Sequence, residues 1–342
     1  MIYSMLSFLG NVFKVFCVYV IVLFSIPAFG QQQEVKTKKS GLSILLISDL
    51  NDSYGTIGYN EDVKDVLSKI KDIQPDIVLC AGDMVAGQKA SLSLDHLQQM
   101  WSSFNETVLS PIQKLQIPFA FTMGNHDASP SFLLDRQASK EFWMHQKDQL
   151  NISYVDSAHY PFYFSFIQNK IFFISWDASS SKVPEEVKAW MSKQLKSKVA
   201  RKAKGRIVFG HLPLFAIVEA KNKPGEVVDG ADGMLKIFNE FKVDMYVSGH
   251  QHAYFPAYKE NVVLMNSGCL GSGARKFIGS TLEPQKAYAL IHIPAGTKVR
   301  DADIQGFKPI SHEMISISQL PDSIVGFNGV VRRIDDSKII NE

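Results

Sequence analysis

Short apolar runs, each emptying into a loop rich in Gly, Asp, Asn or His, recur along this chain, and stretches with apolar residues every three or four positions separate them. The first run, Ile44, Leu45, Leu46 and Ile47, has the unbroken hydrophobicity of a strand covered on both faces, and it gives way to Ser48-Asp49-Leu50-Asn51-Asp52. Val63, Val66, Leu67 and Ile70 then share one helical face. Residues 76–80 predict a second strand that enters Ala81-Gly82-Asp83. Leu97, Met100, Trp101, Phe104 and Val108 predict a long helix stopping near Pro111 or shortly after. Residues 117–122 read as a third strand, opening into Gly124-Asn125-His126-Asp127, and Leu134, Ala138 and Phe142 step by four along the next helix.

The second half repeats this alternation. Residues 162–174 predict a hairpin turning at Gln168-Asn169-Lys170 and leading to Trp176-Asp177. Pro184, Glu185 and Glu186 start a helix with Val187, Trp190, Met191 and Leu195 inward and Lys193, Lys196 and Lys198 towards its carboxyl end. A strand at 206–209 ends in Gly210-His211-Leu212-Pro213. After a polar, variable-looking stretch from 219 to 233, Met234, Ile237, Phe238 and Phe241 predict a helix, and a strand at 244–247 ends in Ser248-Gly249-His250-Gln251-His252. Two further core strands, 262–265 and 287–293, bracket a glycine-rich loop at 268–273. The whole is an α/β pattern, with one domain over 41–295 and an accessory segment of little periodicity over 296–342, either a flap or a tail.

Composition narrows the class. The 342 residues are 46% hydrophobic and 20% charged, enough for a substantial core, and 36 basic against 34 acidic residues give a net charge of only +2. No global field favours nucleic acid or an anionic membrane, so phosphate recognition has to be local. At the amino terminus, Lys14 precedes an apolar run over 15–26, then Pro27-Ala28-Phe29-Gly30 and three glutamines. This is the pattern of a secretory signal over 1–30, cleaved after Gly30, with a solvated leader over 31–40. The run is shorter than the roughly 20 residues a spanning helix needs, so an extracytoplasmic protein, periplasmic or secreted, with no stable membrane span is expected. Cys80 and Cys269 remain after cleavage, and small buried thiols suit them better than a disulfide framework.

Five predicted strand ends present Asp49, Asp83, Asn125 with His126, His211, and His250 with His252. Ligands confined to one sheet edge converge on one cleft, and glycines just before Asp83, Asn125, His211 and His250 let the backbone turn sharply there. Nitrogen and oxygen donors without thiolate favour Zn, Mn, Fe or Co over an iron–sulfur or structural zinc site. More donors are present than one ion needs, which predicts two divalent metal ions sharing a carboxylate, roughly 3.5–4 Å apart.

In this order the motifs resemble the signature of the calcineurin-like metallophosphoesterase superfamily: Asp-x-His, Gly-Asp, Gly-Asn-His-Asp/Glu, Gly-His and Gly-His-x-His, here spread over residues 44–293. The resemblance implies two mixed β-sheets packed as a sandwich and flanked by helices. It implies that Asp83 bridges the ions, that Asp49 and His252 hold the first, and that Asn125, His211 and His250 hold the second. A hydroxide between the ions would attack a phosphate mono- or diester in line, and His126 would stay off the metals and protonate the leaving oxygen. Asp127 either orients that imidazole or caps nearby amides.

One position departs from the pattern. Asn51 stands where the family usually carries histidine, so the first ion is expected to bind more weakly and to lean towards Mn or Mg rather than Zn; Mn is favoured overall, with Fe or Zn as alternatives. Asp52 is close enough in sequence to substitute, and Asn51 is also an ordinary turn-former. Ala86 replaces the tyrosine that the purple acid phosphatase branch carries three residues after the Gly-Asp carboxylate. Three readings follow: an exported dinuclear phosphoesterase acting on a phosphorylated small molecule or macromolecule, a metal-weakened relative that binds a phosphorylated ligand without turnover, and, less well, an exported nucleotidase, for whose large extra substrate domain the chain lacks room. The loop Gly271-Ser272-Gly273-Ala274-Arg275 is a candidate for presenting amides and a guanidinium to phosphate, and Tyr54 is a candidate rim contact.

Overall fold

The unbroken apolar runs become the inner strands of two mixed sheets in the computed structural model, which describes residues 40–334. The expected signal over 1–30, the rest of the leader up to residue 39 and residues 335–342 lie outside the described residues. In chain order the strands are β1 Gly41–Ile47, β2 Ile77–Cys80, β3 Phe119–Phe121, β4 Ser153–His159, β5 Tyr163–Gln168, β6 Ile171–Ser175, β7 Gly205–Phe209, β8 Met245–Ser248, β9 Tyr254–Lys259, β10 Val262–Ser267, β11 Tyr288–Pro294, β12 Asp303–Phe307, β13 Met314–Ile315, β14 Ser323–Gly326 and β15 Gly329–Arg333. One sheet runs β13-β12-β11-β1-β2-β3 and the other β14-β15-β9-β10-β8-β7-β6-β5-β4.

Within the first sheet β1, β2 and β3 are parallel, and within the second β6, β7 and β8 are parallel. Parallel neighbours need long crossovers, which the helices supply while covering the outer faces. These are α1 Glu61–Ser68, α2 Leu94–Phe104, α3 Leu133–Gln146, α4 Glu185–Lys196 and α5 Ala231–Glu240. Asn60 and Ser93 cap α1 and α2, accepting from the amides of Val63 and His96 at 3.1 and 3.2 Å. Trp143 of α3 stacks on Phe121 of β3 with ring centroids 3.6 Å apart, and Phe238 of α5 meets Trp176 and Tyr246. The sandwich with flanking helices is therefore the observed architecture.

Where the structure departs from the sequence pattern, a physical reason is visible. The helical path ends at Lys114, shortly after Pro111 as expected, but it is not one α-helix: a π-helical turn, Asn105–Leu109, separates Leu94–Phe104 from Ser110–Lys114. The wider turn accommodates a residue with no amide hydrogen to give. On α3 the buried stripe is Asp135, Ala138, Ser139 and Trp143, while Leu134 faces solvent. Ala138 is buried and Phe142 packs against the core, so apolar spacing misplaces only Leu134; the inward Ser139 donates to Asp127 O and Asp135 lies against Gly87. The hairpin turn sits at Asn169 and Lys170, both left-handed at φ 47° and 67°, which matches the right-handed twist of β5 and β6. Strand β9 was hidden by Pro256, a residue that argues against a strand interior. Residues after 296 contribute short edge strands to both sheets, β12 and β13 to one and β14 and β15 to the other. Cys80 and Cys269 are buried free thiols, and among the described residues no helix is long and apolar enough to cross a membrane.

Candidate metal centre

Asp49 and Asn51 follow β1, Asp83 follows β2, Asn125 and His126 follow β3, His211 follows β7, and His250 and His252 follow β8. All five are parallel strands delivering their carboxyl ends to the same place, where the two sheets meet. The Asp49 amide donates to Gly82 O at 3.0 Å within the first sheet, and the Gly249 amide donates to His211 O at 3.0 Å within the second. Gly249 brings the sheets together: a Cβ there would lie 2.2 Å from Ser48 Oγ and 2.6 Å from Asp49 Oδ2. Gly124 does the same against Asp83, whose Oδ1 a Cβ would approach to 2.1 Å. Four donor positions, Asp49, Asp83, His250 and His252, adopt left-handed φ of 50–66°, a conformation that costs about 1 kcal/mol or more for each non-glycine residue. The surrounding hydrogen bonds hold that strain in place to aim the side chains.

Lone pairs converge with little between them to share. His211 Nδ1 lies 2.8 Å from Ala81 O and must donate to it, so Nε2 is the atom that faces Asp83 Oδ2 at 3.1 Å and Asn125 Oδ1 at 3.1 Å, a lone pair whenever the imidazole is neutral. Asn125 is fixed in that sense because its Nδ2 donates to Gln88 Oε1 at 2.8 Å. His252 Nδ1 faces Gly273 O at 3.1 Å, so its Nε2 is directed at Asp49 Oδ1, also at 3.1 Å. His250 Nε2 faces Glu226 Oε2 at 2.8 Å, and Lys221 Nζ lies 3.1 Å from Nδ1, the nitrogen that the Glu226 contact leaves for an ion. The donor atoms of Asp83, His211 and His250 lie within 4.8 Å of one another, close to the separation of ligands around one ion. Asn51 is buried and its Oδ1 has no hydrogen-bond partner. A buried carbonyl oxygen without a donor is costly, and a cation relieves it. By contrast Asp52 Oδ1 accepts from the Ser53 amide at 2.8 Å. The residues therefore fit divalent ions.

Charge tells the same story. Burial opposes ionisation of Asp83, but His211 and His126 outweigh it and hold the carboxyl well below its usual range. Burial likewise opposes Asp49, and His252 and His211 prevail. Burial disfavours charge on His211, yet Asp83 pushes the imidazole up to about 9, so the cluster favours positive charge at this point. Burial and then the neighbouring Lys221 bring His250 down to about 3, which keeps it a neutral ligand.

His126 stands beside the donors. Its amide donates to Asp83 Oδ1 at 2.8 Å, Nδ1 faces Gly87 O at 3.3 Å and Nε2 lies 3.9 Å from Asp83 Oδ2, with the Tyr54 ring 4.9 Å away. Of the two readings for Asp127, capping nearby amides is the one the structure has, and no bond to the His126 imidazole is found. Asp127 Oδ1 accepts from the Met84 and Val85 amides at 2.7 and 3.0 Å, and Oδ2 accepts from the Gly124 amide at 2.8 Å. It ties the Asp83 loop to the Asn125 loop, and burial followed by Asp83 pushes its carboxyl up to about 7. In the glycine-rich loop the amides of Gly271, Ser272 and Arg275 are taken by the carbonyls of Asp49, Asn51 and His252, while the Arg275 guanidinium donates to His250 O. Ser48, Gln88, Glu226 and Lys221 were missed. Ser48 Oγ donates to Asp49 Oδ2 at 2.7 Å, and Lys221 Nζ lies 3.2 Å from Glu226 Oε2. The only sequence signal for the last two was a Lys and a Glu inside the polar stretch between the Gly-His and Gly-His-x-His motifs.

The model of the calcineurin-like phosphoesterase family matches residues 42–254. Among curated proteins none matches this sequence. A purple acid phosphatase from yellow lupin (Lupinus luteus) seeds is similar in structure, with a TM-score of 0.58 and 14% identity over 82% of this chain and 53% of that one, so this chain spans about half the length of the lupin protein. The anchor protein GAP50 of the Plasmodium inner membrane complex gives a TM-score of 0.54 and 14% identity over 81% of this chain and 88% of its own. At such identity these two likenesses bear on the fold alone. Ala86, buried behind the Asp83 loop, offers no tyrosine oxygen to an ion.

Proposed function

As the chain belongs to the calcineurin-like phosphoesterase family, we propose that it is a metal-dependent phosphoric ester hydrolase with two ions in one cleft, one held by Asp49, Asn51 and His252, the other by Asn125, His211 and His250, with Asp83 shared. The observation that supports this best is the set of opposed lone pairs, His211 Nε2 against Asp83 Oδ2 and Asn125 Oδ1, and His252 Nε2 against Asp49 Oδ1. Two divalent ions there would supply charge to neutralise phosphoryl oxygens and to acidify a water. The chain does the rest. Ala81 O, Gln88, Glu226 and Gly273 O hold the donors in the tautomer and orientation that ligation requires. His126, kept off the donor cluster with Nδ1 on Gly87 O, presents Nε2 as the group that protonates the departing oxygen. Asn51, a neutral amide, makes the first position the weaker and favours Mn there.

The same Asn51 favours a second reading, a protein that binds phosphorylated ligands without turning them over. Mn-dependent release of nitrophenol from mono- and bis-nitrophenyl phosphate separates the two. Hydrolysis of either ester, abolished by chelator and restored by Mn, is expected; two bound ions with no turnover of either would replace the enzyme by the binding protein. His126→Ala should lower kcat roughly 100-fold or more with metal content unchanged; parallel loss of both would remove His126 from its role. Export over residues 1–30 belongs to this proposal as well, and sequencing the amino terminus of the mature protein should begin at Gln31.

A further inference from the structure

Lys221 is carried into the cleft by a segment that no ligand motif includes. Its Nζ lies 3.1 and 2.9 Å from the two ring nitrogens of His250 and 3.2 Å from Glu226 Oε2, and its side chain is only 14% exposed. Arg275 stands on the other side of the same residue, Nη1 donating to His250 O at 2.9 Å. Lys221 and Arg275 thus place two side-chain cations around His250, at the edge of the proposed second ion's position. The two are mounted on paired backbone: Val218 bridges Phe277, the Glu219 amide donates to Lys276 O at 3.0 Å and the Ile278 amide to Ile217 O at 3.0 Å. From the far side Asn328 accepts from the Ala216 amide at 3.2 Å and donates to Leu214 O at 2.8 Å, and the Phe327 amide donates to Asn222 Oδ1 at 2.7 Å. The tip of the β14–β15 hairpin thus clamps the segment that delivers Lys221. Such preorganisation is what a recognition group needs, and a structural lysine on a solvated loop does not.

Taking the phosphoesterase reading as given, we infer that Lys221, seconded by Arg275, recognises the third non-bridging oxygen of a dianionic phosphomonoester and makes the site selective for monoesters over diesters. Two ions account for two of the oxygens around phosphorus. In a monoester the remaining one is charged, and an ammonium beside it forms a charge-assisted hydrogen bond. In a diester that place is taken by an uncharged ester oxygen with its substituent, which gains nothing from Lys221 and crowds it.

The test is calorimetric binding of phenylphosphonate, a dianion, and diphenyl phosphate, a monoanion, to Mn-loaded wild type, Lys221→Met and Lys221→Arg. Turnover of mono- and bis-nitrophenyl phosphate and metal content are measured on the same samples. Lys221→Met should weaken phenylphosphonate by about tenfold or more and diphenyl phosphate by less than about threefold, while Lys221→Arg keeps most of the difference. The ratio of monoester to diester kcat/KM should fall by a similar factor. Equal weakening of both ligands, or no weakening of phenylphosphonate, overturns the inference. If Lys221→Met fails to load metal, Lys221→Arg decides: the wild-type preference supports the inference and loss of preference with full metal content contradicts it. Wild type that prefers the dianion yet hydrolyses nothing would leave the subsite standing and remove only the hydrolase.

Discussion

The two halves of the proposed metal centre are built to different standards. In the second half every donor is locked by a partner: His211 by Ala81 O, Asn125 by Gln88 and His250 by Glu226. In the first half Asp49 and His252 are held by Ser48 and Gly273 O, but the third donor, Asn51, contributes a buried amide oxygen with no partner at all. A histidine in that place would have brought a stronger donor and a second nitrogen to anchor. The difference teaches that affinity is set as much by what holds a ligand as by the ligand itself. Under the two-ion proposal it predicts one firm ion and one exchangeable ion, with Asp83 shared between them.

The largest expected effect abolishes the comparison. Asp83→Asn removes the shared carboxylate, so both halves should empty and turnover should fall on the order of a thousandfold, as read by elemental analysis and nitrophenyl phosphate hydrolysis. Retention of both ions would mean that Asp83 is no bridge. Glu226→Gln strikes only the firm half. His250 loses a charged orienting partner, and the tighter of two binding constants should weaken about 10–100-fold while the weaker one holds. Asn51→His acts on the other half: Zn affinity at the weak position should rise on the order of tenfold and the gap between the two constants should close. No change in either constant would place Asn51 outside the ligand set.

The smallest effect lies behind the site. Burial pushes Asp135, on α3 beside Gly87, up to about 6, and its Oδ1 has no hydrogen-bond partner. Its pKa is raised above the unfolded value of about 3.9, so its contribution to stability is full below pH ~4 and is lost as pH rises through about 6. Asp135→Asn should flatten the melting temperature across that window and raise it by about 2–4 °C above pH 6. An unchanged profile would show that Asp135 ionises elsewhere.

Much of this was legible in the chain. Strands buried on both faces are written as unbroken apolar runs, and the residues just past them, Asp49, Asp83, Asn125, His211, His250 and His252, needed only the rule that parallel strands deliver their carboxyl ends to one edge. What stayed hidden was whatever depends on three-dimensional neighbours. Asp127 sits next to His126 in sequence, yet its oxygens are taken by the amides of Met84, Val85 and Gly124. Gln88, Glu226 and Lys221 carry no periodic signal because they reach the site from loops. On α3 the inward Ser139 and Asp135 escape apolar spacing by the same logic, since Ser139 serves Asp127 O and not the apolar core.

The most direct test is a Mn titration of metal-depleted protein by equilibrium dialysis, with bound metal counted per chain. Two ions should bind, with constants about tenfold or more apart and the weaker one assigned to the Asn51 half by its shift in Asn51→His. Binding of no ion at all, or of two ions with equal affinity untouched by that substitution, would contradict the account.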